Sequence, residues 1–245
     1  MYMRHWTQHG LLSCALILFS FVFLSCSMQP NIPTVSDDPV ERLVRDEAAR
    51  IVAVSEDKDR LADYRIFLSD FPRKDILGMS IGSRRIYISH RLAKLAFRRS
   101  SYLWLLRQTL AHEIAHETAG HAQRNGVSGL NHFPSGRGMT AEDVGLPPSV
   151  SFRHYSVDKE LEADLRGLSY WSKLQWDCQI WVGILEQFQR QNYFGDKFHP
   201  TDRRLQEAQR VCLSQNRQQR VLEATSPEPQ GRQTLYPVGG TASHQ

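Results

Sequence analysis

Residues 101–116 read SYLWLLRQTLAHEIAH, and the rest of the chain is best read outward from them. Leu103, Leu106, Leu110 and Ile114 recur at about 100° per residue, which predicts a helix with one apolar stripe. His112 and His116 project from nearly the opposite side. Side chains four residues apart share a helix face, so the two imidazoles can be offered to a single metal ion. Glu113 is then the natural general base for a water that the metal makes acidic. Ser100 or Ser101 is expected to cap the helix. Arg107 interrupts the apolar stripe, and nothing in the sequence explains it. The plainer alternative is an amphipathic helix carrying two surface or hydrogen-bonded histidines.

Upstream, Asp37 and Asp38 suit the N-cap of a first helix in which Val40, Leu43, Val44, Ile51 and Val52 recur at helical spacing. That helix is expected to end near Asp59. Residues 64–68 and 85–89 have the aromatic and β-branched content of strands, with Gly78 and Gly82 marking turns between them. Residues 92–97 read as a short helix. A small sheet therefore precedes the metal helix, and sheets beside a metal cleft can hold an extended peptide by strand addition. Downstream, Gly and Pro break up residues 123–155, which are either a lid over the cleft or an unstructured insertion. Residues 157–191 read as one or two helices, and 201–223 as a final charged one.

The fold class expected is α+β, mainly helical, with the small sheet beside the HExxH helix. At 245 residues and 41% hydrophobic content, the chain can bury one substantial core. The expected organisation is an export or lipoprotein segment at 1–26, a linker at 27–37, one domain over 38–223 and a disordered tail at 224–245. Arg4 followed by the apolar run 11–24 has the pattern of an export signal and is short for a membrane span. Phe23-Leu24-Ser25-Cys26 resembles a bacterial lipoprotein box. A lipidated Cys26, ordinary cleavage near Ser27 and an uncleaved anchor all stay open. Each places the domain on the periplasmic side of the envelope, at the outer membrane if Cys26 is lipidated.

Without residues 1–25, one Arg of the 30 basic residues is lost, leaving 29 against 26 acidic ones. That balance indicates no particular partner, and no nucleic-acid partner is expected; Arg98-Arg99 or Arg203-Arg204 could touch lipid head groups or nucleic acid, but such pairs are ordinarily a solvated face. Cys178 and Cys212 are either one disulfide between two late helices or two small buried residues. No CxxC pair exists, which argues against a thiolate metal site.

A hydrolytic zinc site takes three protein ligands and leaves the fourth position to water. The candidates for the third are His121, His132, His154, Glu160 and His199. Metzincins place a third His ten residues after the first, with a Gly at seven. Here His121 stands at nine and Gly120 at eight, so that register fails. Glu160 lies on a second expected helix with Asp164 one turn beyond on the same face. Asp164 can accept the outer N–H of His112 or His116, which would fix that ring's tautomer. The alternative is a solvated acidic edge.

The segment 155–164, YSVDKELEAD, resembles the S-R-x-x-E-x-x-A-D pattern of the HtpX and CAAX prenyl protease family, metallopeptidase family forty-eight. Residues 86–92, IYISHRL, resemble the strand and turn before the zinc helix there, and the likeness spans roughly residues 40–210. The resemblance implies a zincin-like domain with His112, His116 and Glu160 as ligands of one Zn2+ per chain, Glu113 as catalytic residue and Asp164 behind the ligands. Val157 replaces the motif's usual Arg. His199 opens HPTDRRL, similar to the family's late HP segment but one residue short. It is either a transition-state donor or latch on the zinc, or an ordinary residue before a helix. Without the multiple membrane spans of the larger members, the chain looks more like small exported members associated with envelope quality control. The activity implied is zinc-dependent endopeptidase action on misfolded or unassembled envelope proteins. The alternative is a membrane-tethered, chaperone-like binding factor with a latent or inactive site.

Overall fold

A computed structural model describes residues 32–121, Glu142, Gly145, 155–191 and 201–225, the last helix with side chains to Arg217. Among the described residues, six α-helices and one 3-10 helix accompany a three-stranded sheet, an α+β arrangement that is mainly helical. Helix α1 is Asp38–Val52 and α2 is His90–Arg98; α3 is Ser100–Thr118, α4 Val157–Lys173, α5 Cys178–Arg190 and α6 Thr201–Thr225. The strands are β1 (Arg65–Ser69), β2 (Gly78–Ser80) and β3 (Arg85–Ser89), in the order β1-β3-β2. β1 runs parallel to β3, and β2 pairs with it antiparallel. No helix among the described residues is long and apolar enough to cross a membrane.

The apolar stripe of α3 is real: Leu106, Leu110 and Ile114 are wholly buried. The expected opposition between a wet and a dry face is not. His116, Glu113 and Glu117 are buried too, because α4 and β2 pack over the histidine side while α1 and α2 cover the other. A helix at the centre of a domain is covered all round, and periodicity alone then understates its burial. Arg107 also finds its reason. Its guanidinium donates to both carboxylate oxygens of Glu47 on α1, at 2.8 and 3.0 Å, and stacks over Trp104 and Trp176. The charge is thus paired and desolvated together with its partner.

Several boundaries move. The first helix stops at Val52 and a separate 3-10 turn, Lys58–Asp63, follows. Neither Ser100 nor Ser101 caps α3: Arg99 takes the N-cap position and makes no side-chain cap bond. Asp37 stands at the N-cap of α1 without capping it, since its carboxylate meets His90 Nε2 at 3.1 Å instead. Gly78 lies in a strand, not a turn. Residues 32–37 are packed onto the fold: Ile32 is buried, Val35 bridges Leu68, and Ser69 Oγ donates to the carbonyl of Pro33 at 2.7 Å.

Two contacts fix the elements that matter most. At Gly167 a Cβ would stand 2.9 Å from Trp181 and 3.2 Å from the backbone of Ala111, so only glycine lets α4 cross α3 this closely. The crossing lies beside His112. Cys178 and Cys212 form a disulfide that ties α5 to α6, with Cα atoms 5.6 Å apart.

Candidate metal centre

His112 and His116 sit one turn apart on α3, and Glu160 enters from the first turn of α4. A carboxylate is favoured there by the positive end of the helix dipole. Ser156 starts α4 by accepting the N–H of Lys159. The three side chains converge. His112 Nε2 is 3.0 Å from His116 Nε2 and 3.0 Å from Glu160 Oε2, and His116 Nε2 is 3.5 Å from that same oxygen. All three residues are buried or nearly so and offer donors within 4.8 Å of one another, a group that could hold a metal ion.

That geometry fits one small cation. Donors placed about 2.0–2.1 Å from a tetrahedral ion lie roughly 3.3 Å apart, close to the edges of this triangle. Two neutral imidazoles and one carboxylate are also a donor set suited to zinc.

Behind each histidine stands a partner for the outer nitrogen. His112 Nδ1 is 2.9 Å from Asp164 Oδ1, so the ring donates there and turns Nε2 to the centre. Asp164 is itself gripped by Arg204 of α6, whose Nη2 reaches Oδ1 at 2.7 Å. Burial would raise the Asp164 carboxyl, yet Arg204 and His112 hold it well below the usual carboxylate range. His116 Nδ1 is 2.9 Å from His121 Nδ1, and His121 Nε2 is 3.1 Å from Glu162. One tautomer satisfies both bonds: His116 donates to His121, and His121 donates onward to Glu162. Tyr155 stacks on the His116 ring with centroids 4.1 Å apart and donates its hydroxyl to the carbonyl of Ser80. Burial, reinforced by the charges of Glu113, Glu117 and Glu160, pushes that phenol far above its ordinary value.

The two histidines titrate in opposite directions. Burial works against a charge on His112, but Asp164 and Glu160 outweigh it and push the ring up to about 10. Burial pushes His116 down to about 4. His112 therefore keeps its proton near neutral pH while His116 does not, and a bound cation would displace the proton on His112.

Glu113 faces β2. A Cβ on Gly78 would come within 3.3 Å of Glu113 Oε1 and 2.7 Å of the Thr109 methyl, so the bare backbone lets the strand lie against this carboxylate. One turn on, Glu117 accepts from Ser80 Oγ and from the backbone N–H groups of Gly82 and Arg84, the latter two at 2.9 Å each. Those bonds hold the β2–β3 turn, in which Ser83 and Arg84 both carry φ of 55°. β2 is thereby fastened to the helix that bears the histidines.

The structure thus brings together His112, His116, Glu160 and Asp164, with Glu113 beside them. His121 belongs to the site as a support for His116, a role the failed third-ligand register did not reveal. Glu117, Arg204 and Tyr155 were missed. HEIAHE and the Arg after the HP segment carried the only local signals for the first two. His199, Cys26 and nearly all of residues 123–154 lie outside the described residues. No protein-family model matches the chain, and no curated protein matches it either.

Proposed function

We propose that the chain is a zinc-dependent endopeptidase with a zincin-like domain, resembling the HtpX and CAAX prenyl protease family. The observation that carries this reading is the convergence of His112, His116 and Glu160 at 3.0–3.5 Å, each histidine backed by its own acceptor, with Glu113 on the same helix turn. Zinc held there would supply Lewis acidity, lowering the pKa of water and polarising a peptide carbonyl. Glu113 takes the proton from the attacking water and returns it to the leaving amine as the C–N bond breaks. β2, an edge strand in the sheet, offers backbone groups along which an extended peptide can lie beside Glu113. Misfolded or unassembled envelope proteins are the proposed substrates. The apolar run at 11–24 supports a periplasmic location, tethered to the outer membrane through a lipidated Cys26, with an inner-membrane anchor or a soluble periplasmic form as the alternatives.

The test is zinc analysis of the purified chain together with cleavage of an unfolded protein, with and without chelator. Glu113→Gln is expected to retain one zinc per chain and lose at least ~10²-fold in turnover. Unchanged turnover would remove Glu113 from the chemistry. Cellular rescue by the Glu113→Gln protein would favour the chaperone-like alternative.

A further inference from the structure

The metal centre leaves one feature of the surface unused. Between Asp75 and Glu113 the chain contains no acidic residue, while Arg91, Lys94, Arg98 and Arg99 fall within that interval. On α2, Arg91, Lys94 and Arg98 stand at i, i+3 and i+7 and share one face. Leu92, Ala93 and Ala96 form the opposite, buried face. Arg91, Arg98 and Arg99 are exposed, and none of the four cations forms an ion pair among the described residues. Phe97 stands on the flank of the stripe, 54% exposed. This places a large apolar ring in water at the edge of the cations, the pairing of basic and aromatic side chains found on interfacial helices.

The acids packed nearest are already engaged. Asp70 and Asp37 each meet a nitrogen of His90 at 3.1 Å, at the start of α2. Arg91, Lys94 and Arg98 line a shallow hollow with Asp70, His90 and Tyr102, and Asp70 is its one acid. The contact between Asp37 and His90 also ties the segment that leads into α1, itself packed onto the fold from Ile32 onward, to the first residue of α2. Leu24 ends the apolar run thirteen residues earlier, a reach of at most about 45 Å. Where the lead segment stays tethered to a bilayer, through a lipidated Cys26 or an uncleaved anchor, the membrane stays within that reach of this face.

We propose that the basic face of α2, Arg91, Lys94 and Arg98 with Phe97 at its edge, docks on an anionic phospholipid surface. The cations meet the lipid phosphates and the Phe97 ring enters the headgroup boundary, as in interfacial amphipathic helices. Docking fixes how the domain stands over the membrane. It stands whether or not the metal centre is proteolytic, because the readout below involves no turnover.

The test uses the full-length chain with excess vesicles, either pure phosphatidylcholine or about a third phosphatidylglycerol. An amine-reactive reagent followed by mass spectrometry reads Lys94 against Lys58, an exposed residue of the 3-10 turn. Labelling of Lys94 is expected to fall about tenfold on anionic vesicles alone and to recover in molar salt. In Arg91→Gln/Arg98→Gln the docked-to-undocked ratio should drop about thirtyfold, with zinc content and circular dichroism unchanged. Phe97→Ser should lower it about tenfold. Equal labelling of Lys94 on both vesicle types overturns the proposal, as does suppression that survives Arg91→Gln/Arg98→Gln. Protection of Lys94 by an oligonucleotide as strong as that by anionic vesicles would also overturn it, making the face a general polyanion site.

Discussion

His121 acts on the centre through His116, so its loss should be felt in metal affinity rather than in the chain's ability to fold. His121→Ala leaves His116 Nδ1 facing a cavity and frees the ring to turn. Removing such an outer partner costs roughly 10–100-fold in metal affinity. A competitive chelator titration should show that loss, with partial recovery in His121→Asn; an unchanged affinity would mean that packing alone orients His116. His112 makes the second residue-scale prediction. It holds its proton up to about 10 in the metal-free protein, and an incoming ion must expel it. Raising the pH makes that expulsion less costly, so zinc affinity should climb about tenfold per pH unit between roughly pH 7 and 9. Calorimetry in buffers of different ionisation enthalpy should find about one proton released per zinc; none released would mean that His112 is already neutral.

At the scale of elements, the centre depends on three helices that the chain brings together from far apart. α3 gives His112 and His116, α4 gives Glu160 and Asp164, and α6 gives Arg204, which holds Asp164 in place. The Cys178–Cys212 disulfide locks α6 to α5 across a separation of 34 residues. Closing a loop of that length restricts the unfolded chain enough to contribute about 3–4 kcal/mol. Cys178→Ser/Cys212→Ser should lose about that much in urea denaturation and should bind zinc more weakly as Arg204 loosens from Asp164. Normal stability would mean that the packing of Leu205 and Ala208 suffices to seat α6. Legibility follows the same division. His112, His116, Glu160 and Asp164 could be read because each pair is spaced by one helical turn, a distance that sequence records directly. Arg107 could not, because its partner Glu47 lies 60 residues upstream. Gly78 was misread for a related reason: glycine's local preference is for turns, and here Thr109 and Glu113 of another element require it.

For the molecule as a whole, a bound ion would join α3 to α4 between residues 44 apart in the chain, His116 and Glu160. The unfolded chain cannot hold those donors at 3.0–3.5 Å, so the ion binds the native state and stabilises it by mass action. At free zinc about 100 times the dissociation constant this amounts to roughly 2.7 kcal/mol, or about 5–10 °C in Tm for a chain of this size. The gap should depend on pH with a definite sign. His112 is raised in the folded protein, so its stabilising proton is fully present below about pH 6.5 and is lost as pH rises towards about 10. Asp164, depressed by Arg204 and His112, stays ionised throughout that window. The metal-free protein therefore weakens as pH rises, while the zinc-loaded protein has already given up that proton and does not. Thermal melts with zinc and with chelator should draw apart steadily from pH 6.5 to about 9. A constant gap would place the displaced proton somewhere other than His112.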